Sequence, residues 1–210
     1  MMNSNTIKLH RHPLSGHSHR AELFLSLLNK EVELVEVNLA NGEHKSEAFL
    51  KLNLLGQLPV LQDKDTVISD SNGILVYLAE TYDASGEWYP KNPVVRAQIQ
   101  RFLSIAANQV ANGPAAARLV TVFGYNLDHE LLIAKANTLL QMLEQHFENN
   151  NFAVENKPTI ADIALYTYIA HAPEGNVSLA PYVNVTAWLK RIEALSGFIA
   201  MAATKVGLAA

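Results

Sequence analysis

The chain has 210 residues, 49% of them hydrophobic and 17% charged, and 16 Lys and Arg against 20 Asp and Glu give a formal charge of -4. That length suits one large domain or two compact ones with ample material for a buried core, and the acidic balance excludes the footprint of a general nucleic-acid binder. Cysteine is absent, which excludes disulfides, thiolate metal sites and a protein-borne thiol nucleophile, so any thiol chemistry has to use a ligand's sulfur.

Met1 to Thr6 is polar and no apolar run reaches about 18 residues, so neither a signal peptide nor a membrane span is expected, and a cytoplasmic location is. Ile7 to His12 reads as a first strand stopped by Pro13. Leu14 to Ser18 reads as a polar loop, followed by a helix through Ala21, Phe24 and Leu28 and a β-branched strand from Val32 to Val37. The two strands are expected to lie parallel through a right-handed crossover. Asn41-Gly42-Glu43-His44 is turn chemistry, and Ser46 caps a short helix carrying Phe49, Leu50 and Leu52. Pro59 to Gln62 and Thr66 to Ser69 then read as an antiparallel hairpin. Asp70 or Ser71 caps the next helix, whose Ile74, Leu75, Leu78 and Tyr82 fall at helical intervals.

A break rich in Gly and Pro follows, giving a linker at 85–93 between a first domain, 1–84, and a second, 94–210. No strand is expected beyond it. Val94 to Asn112 and Asp128 to Asn149 are helix-compatible, Pro158-Thr159-Ile160-Ala161-Asp162 matches a capping box, and Val183 to Leu195 is a last amphipathic stretch. The fold class is therefore βαβ-α-ββ-α followed by an all-helical bundle.

One stretch carries more than fold. In Gly56-Gln57-Leu58-Pro59-Val60-Leu61 the proline opens a strand and biases Leu58 toward an extended backbone, which leaves its N–H and C=O for another extended chain. Together with Ser69-Asp70-Ser71-Asn72-Gly73-Ile74, the capped helix at Thr159 and the order of elements, it resembles the cytosolic glutathione S-transferases over nearly the whole chain. The resemblance implies a thioredoxin-like first domain that binds glutathione as co-substrate, a helical second domain that covers a hydrophobic electrophile, and a homodimer. It implies no metal, no nucleic acid and no membrane partner. Leu58 would pair with the cysteinyl part of glutathione across a cis Leu58-Pro59 bond. Asp70 would take the γ-glutamyl ammonium, and the Ser71 hydroxyl with the helix N–H groups its carboxylate. His44 and Gln57 would hold the glycyl carboxylate.

Ser15 is the match to the thiol-activating position, in a run similar to the zeta and theta classes, with Ser18 as a rival three residues on. His17 stands where the zeta class has cysteine, which argues against a maleylacetoacetate-type isomerase. The same scaffold also serves non-catalytic glutathione-binding regulators, peroxidases, disulfide reductases and isomerases. From local sequence alone Ser15, Asp70 and Ser71 read equally as capping residues. Arg118 either faces the cleft or sits on the surface, Asn108 reaches a neighbouring subunit's ligand or solvent, and Phe123 and Tyr125 line the electrophile pocket or the core. His10, His12, His17 and His19 form two His-x-His pairs, but without cysteine or a close acidic residue they read as locally bonded rather than as a metal site.

Overall fold

A computed structural model describes residues 6–210. Strand β1 (Ile7–Arg11) runs parallel to β2 (Val32–Glu36) through helix α1 (Gly16–Leu27), and antiparallel to β3 (Val60–Asp63), which turns back into β4 (Thr66–Ser69). The sheet order is β2-β1-β3-β4. Alternation along β1 buries Ile7 and Leu9 under α1 and α3 (Ser71–Tyr82), while the short helix α2 (Glu47–Leu52) drops Phe49 onto Val37 and Val60. Ser46 caps α2 by accepting the Phe49 N–H, as its position in the sequence predicts.

The first helix begins earlier than the loop-like composition of Leu14 to Ser18 predicts. Ser15 is its N-cap, so Gly16, His17 and Ser18 are already helical. The cause is local: the Ser15 hydroxyl satisfies the Ser18 N–H, which outweighs the turn preference of Ser and Gly.

Residues 83–92 carry no helix or strand, and Asn92 then caps α4 (Pro93–Ile105) with Pro93 in its first turn. The expected end of this helix near Asn112 is not observed. The chain continues through a π-wound segment (Ala106–Ala115) into α5 (Ala116–Phe123) and ends at Gly124, whose φ is 69°. Wider π turns accommodate Pro114, which lacks an N–H and would otherwise break the helix. Helix α6 (His129–Glu148) packs against this segment, and a Cβ on Gly113 would lie 3.2 Å from the Ala136 backbone.

Helix α7 (Ile160–Ala170) is buried along its whole length save Ala170 and carries the expected capping box. The Asp162 carboxylate accepts from the Thr159 N–H at 2.9 Å and also from Ala153 N–H and Trp188 Nε1. Trp188, on α8 (Val183–Glu193), is fully buried and stacks on Phe147 at 4.8 Å. Side chains from the sheet layer and from the helices share one continuous core, so the two halves meet through packed apolar surface. Among the described residues no helix is long and apolar enough to cross a membrane.

Candidate functional site

A cavity of about 570 Å³ opens where the C-terminal end of β1, the turn before β3, the start of α3 and the α4–α5 helix face one another. Ser15, Gln57, Leu58, Asp70, Ser71 and Arg118 all line it, as does His44. Neither Ser18 nor Asn108 does. Ser18 is fully buried, its hydroxyl accepting the His12 N–H at 3.3 Å. Asn108 is exposed on the π-wound segment and accepts from Asn112.

Ser15 sits at the start of α1 with φ -88° and ψ 115°, its oxygen taking the Ser18 N–H at 3.2 Å. That contact uses a lone pair and leaves the serine proton free to donate into the cavity. Leu58 lies ahead of the ladder, which starts at Val60, and its peptide bond to Pro59 is cis. Neither its N–H nor its C=O makes a hydrogen bond to another described residue. An extended ligand can therefore pair with it antiparallel. The turn carrying Gln57 is held by Asn53 Nδ2 donating to the Gln57 carbonyl at 2.8 Å. His44 Nδ1 is buried without a protein partner, and Lys45 reaches the rim of the same cavity while donating to the Leu55 carbonyl.

Asp70 caps α3, accepting the Asn72 and Gly73 N–H groups at 2.9 and 2.8 Å from the unusual backbone position of φ 75°. Such a conformation is uncommon for a non-glycine residue and holds only where its surroundings fix it. One carboxylate oxygen is occupied by the cap, and the other makes no hydrogen bond to another described residue. The Ser71 N–H makes no hydrogen bond with another described residue, so it adds an N-terminal helix donor beside Asp70.

The Ser71 side chain departs from the role its sequence position suggests. It turns inward, where Arg20 Nη1 donates to its oxygen at 2.7 Å and His17 Nδ1 lies 3.2 Å away. Burial pushes the His17 ring down to about 3, so it is neutral, and with the Ser71 oxygen taken by Arg20 the serine proton goes to His17 Nδ1. Arg20 is itself buried. It also donates to Asn72 Oδ1 and to the Ala164 carbonyl, tying α1 to both α3 and α7, and burial lowers it to about 10, which leaves it charged at neutral pH.

Arg118 is not a surface residue: it is 1% exposed. Its Nε donates to Glu174 at 2.5 Å and its Nη1 to the Leu14 carbonyl at 2.7 Å, so α5 grips the residue before Ser15. Burial alone would raise the Glu174 carboxyl, but donors from Thr204, His171 and Arg118 and the guanidinium charge outweigh it and bring it down to about 2. Arg118 Nη2 is buried without a hydrogen-bond partner among the described residues. Across the cavity Leu14, Ala111, Ala115, Leu119, Phe123 and Tyr125 make an apolar wall, with Phe123 and Tyr125 partly exposed at the mouth.

Each of the four N-terminal histidines has a hydrogen-bond partner, local only for His12. His10 meets Gln62 at 2.6 Å, His12 Nδ1 accepts the Leu14 N–H, and His19 is held between Thr167 and the Ile199 carbonyl. Among the described residues no cluster of three or more His, Cys, Asp or Glu is arranged to hold a metal ion.

His17, Arg20 and Tyr168 are the cavity and support residues that sequence reading did not select. Tyr168 reaches the cavity from α7, its ring edge-on to His17 at 5.0 Å. The site thus offers a strand-like backbone, an acidic helix start, a hydroxyl donor between them and an apolar wall opposite. These suit an extended, zwitterionic peptide bearing a nucleophile, held against an apolar reactant.

The family model described as the glutathione S-transferase N-terminal domain matches residues 5–80, and that of the C-terminal domain matches residues 130–196. Human glutathione S-transferase theta-2 is 30% identical over 175 residues, covering 79% of this chain and 72% of that protein. The crystal structure of a glutathione S-transferase from Pseudomonas fluorescens superposes with a TM-score of 0.89 at 27% identity, covering 95% of this chain and all of the other. A glutathione transferase homologue from Drosophila mojavensis, solved with bound glutathione, superposes with a TM-score of 0.83 at 29% identity, covering 90% of this chain and 88% of that one.

Proposed function

The chain belongs to the glutathione S-transferase family, and on that premise we propose that it binds glutathione extended along Leu58 and transfers the sulfur to a hydrophobic electrophile, with Ser15 as the thiolate-stabilising residue. The observation that carries this is the convergence on one cavity of Ser15, the unpaired Leu58 backbone and the Asp70–Ser71 helix start.

Asp70 takes the γ-glutamyl ammonium through its uncapped carboxylate oxygen, and the Ser71 N–H takes the carboxylate. The Ser71 hydroxyl, spent on His17, supports that amide rather than the ligand. His44, Gln57 and Lys45 face the glycyl end. With the tripeptide so placed, its thiol lies at the Ser15 hydroxyl and the start of α1. A free thiol of pKa about 8.5 is a few per cent ionised at neutral pH, and lowering it by ~2 units requires ~2.7 kcal/mol of thiolate stabilisation. The Ser15 O–H donates to the sulfur anion without exchanging a proton, and the helix N-terminus favours the same anion. The thiolate then forms its bond to the electrophilic carbon, and a leaving group departs with its electron pair or the charge passes to an acceptor atom. The wall of Leu14, Ala111, Ala115, Leu119 and Phe123 excludes water from that step.

A cytoplasmic homodimer is part of this reading. Leu54 and Leu55, 87% and 67% exposed on the loop before Gly56, support a second copy covering that surface.

Retention on immobilised glutathione combined with turnover of an activated aryl halide tests the proposal. Ser15→Ala is expected to keep retention and to lose ten- to a hundredfold in kcat/KM at neutral pH, with the thiol pKa raised toward its free value. Retention without turnover across several electrophiles would replace the transferase with a glutathione carrier.

A further inference from the structure

We infer that His12 is a further catalytic residue: its imidazole, fixed as the neutral Nε2–H tautomer, donates a hydrogen bond to an acceptor oxygen on the electrophile, so that the site favours conjugated enones. The inference rests on the transferase reading given above and deepens it by naming the electrophile class.

His12-Pro13-Leu14-Ser15 is a tight turn between β1 and α1. Pro13 presets the backbone at the second position, and the Ser15 N–H closes the turn by donating to the His12 carbonyl at 3.0 Å. Closure of this kind brings the first and last Cα atoms within about 7 Å of each other. His12 and the thiolate-stabilising serine therefore stand at the two ends of one turn. The His12 N–H is pinned as well, donating to Ser18 Oγ at 3.3 Å.

The same turn holds the ring. The Leu14 N–H donates back to His12 Nδ1 at 3.2 Å, so the imidazole does what the side-chain oxygen of Asn or Asp does at the first position of such turns. A ring nitrogen that accepts carries no proton. Nδ1 is therefore bare, and the proton of the neutral ring sits on Nε2. Burial, above all, holds the ring's pKa below the ordinary histidine value; Glu36 acts against it, and Arg11 and Arg118 with it. This tautomer cannot take the glutathione proton through Nε2. What it offers there is a neutral donor.

The donor opens onto the electrophile's side of the cavity. Nε2 makes no hydrogen bond to another described residue and, unlike Nδ1 of His44, is not enclosed by protein. His12 lines the cavity beside Leu14 and Phe123, with its ring 6.1 Å from the Phe123 ring. Leu14 and Phe123 belong to the apolar wall that faces the tripeptide. The Arg118 charge nearby is spent on Glu174 and the Leu14 carbonyl, so the imidazole supplies the polar contact within that wall. An apolar surface with one fixed N–H suits an apolar reactant that carries an acceptor oxygen.

An α,β-unsaturated ketone places charge on such an oxygen. The thiolate sulfur forms its bond to the β carbon, the C=C electron pair moves between the α and carbonyl carbons, and the carbonyl pair goes to the oxygen as an enolate. His12 Nε2–H donates to that oxygen as its charge grows and keeps its own proton. Water then protonates the α carbon, replacing the proton that the thiol released to solvent, and no group leaves. Because the turn already fixes the ring, no reorganisation is needed when the charge forms. An alkyl halide puts its charge on the departing halide instead and gains less from this donor.

The test compares benzylideneacetone, a conjugated enone, with benzyl chloride, which has a phenyl ring but no acceptor oxygen, in wild type, His12→Phe and His12→Gln. The ultraviolet titration of bound glutathione thiolate is run alongside. His12→Phe keeps a ring against Phe123 and removes the donor. It is expected to lose about ten- to a hundredfold in kcat/KM with the enone and less than about threefold with benzyl chloride, with the thiol pKa within ~0.3 of wild type. His12→Gln, whose amide N–H reaches the place of Nε2, recovers most of the loss. Nitrogen NMR of imidazole-labelled wild type needs no substitution: Nε2 is expected to be protonated and Nδ1 bare at neutral pH, with the Nε2–H signal moving when benzylacetone, the saturated ketone, joins the glutathione complex. The opposite tautomer overturns the inference. So does an equal loss with both reactants in His12→Phe, which would mean that His12 only supports the turn under Ser15, and so does an unchanged rate with the enone. A wild type that turns over benzyl chloride but not the enone overturns this inference and leaves the transferase reading standing. A wild type that binds glutathione and turns over neither overturns that reading, and this inference with it.

Discussion

Replacing Glu174 by Gln should cost the chain about 3 kcal/mol at neutral pH. Glu174 is 2% exposed, and its carboxylate is the sole anionic partner of the buried Arg118 among the described residues, at 2.5 Å from Nε, while its other oxygen accepts from His171 and the Thr204 N–H. The fall of its carboxyl from 4.5 to about 2 in the folded chain corresponds to about 3 kcal/mol of stabilisation. That agrees with the ~3–5 kcal/mol lost when one partner of a buried ion pair is removed and the other stays. Glutamine keeps the shape and one acceptor, but leaves a guanidinium buried without a counter-charge. A deficit of this size lowers the midpoint of thermal unfolding by about 6–12 °C for a chain of this length. The pH dependence is the sharper readout. A depressed carboxylate stabilises fully above its unfolded pKa and loses that contribution as pH falls through its folded value. The gap between wild type and Glu174→Gln should therefore be constant above pH ~4.5 and shrink to about 1.4 kcal/mol near pH ~3. Denaturant titrations of both chains across that range measure it. A gap under ~1 kcal/mol at neutrality, or one that does not narrow in acid, would refute the account of Arg118 as a charge neutralised by Glu174.

Asp162→Asn should also destabilise, by ~1–3 kcal/mol at neutrality, because its amide nitrogen would confront the Thr159 N–H that the carboxylate now accepts. Burial pushes the Asp162 carboxyl up to about 6 despite its four donors, so the folded chain holds that proton more tightly than the unfolded one. Its contribution falls as pH rises from 3.8 to about 6, and the gap to the variant should be wider near pH ~4 than at neutrality in the same denaturant titrations. His17 and His19 act in the opposite sense. Burial lowers them to about 3 and about 4, so stability is lost as pH falls, by ~1.6 kcal/mol each between pH 6.5 and pH ~5. Asp162 returns about 1 kcal/mol over that interval, leaving a net loss of ~2 kcal/mol, and a flat stability profile from 6.5 to pH ~5 would contradict the burial of both rings as neutral groups.

What could be read from the sequence was what depends on neighbours in the chain. Ser46, Asp70 and Thr159 each cap the helix they precede, because a short polar side chain and the helix N–H groups two or three residues on are enough to fix that geometry. The extended Leu58 before Pro59 follows in the same way from local sterics. Gly113-Pro114 misled for the same local reason: it has the chemistry of a helix end. The helix survives there because the π winding tolerates the proline and because Gly113 lets α6 approach its backbone, and only the packed partner reveals that. The Ser71 hydroxyl was likewise read from its place at a helix start. Arg20 and His17, 51 and 54 residues away, turn it inward, and no spacing rule carries that information.

The other parts of the site that were not legible share one property: they cross between the sheet layer and the helices after residue 93. Arg20 ends on the Ala164 carbonyl, His19 on Thr167, Arg118 on the Leu14 carbonyl and Tyr168 on Gly16. Each is buried, so each is specified by desolvation and packing against a surface that exists only once both halves have met. All four converge on the first two turns of α1 and the residue before it, and Ser15 sits in the middle of that stretch. A helical half that served only as an apolar wall for an electrophile would need none of them. Their placement makes the orientation of the serine a property of the joint between the halves. Substitutions on α5 and α7 should therefore move the thiol titration even where they leave the walls of the cavity unchanged.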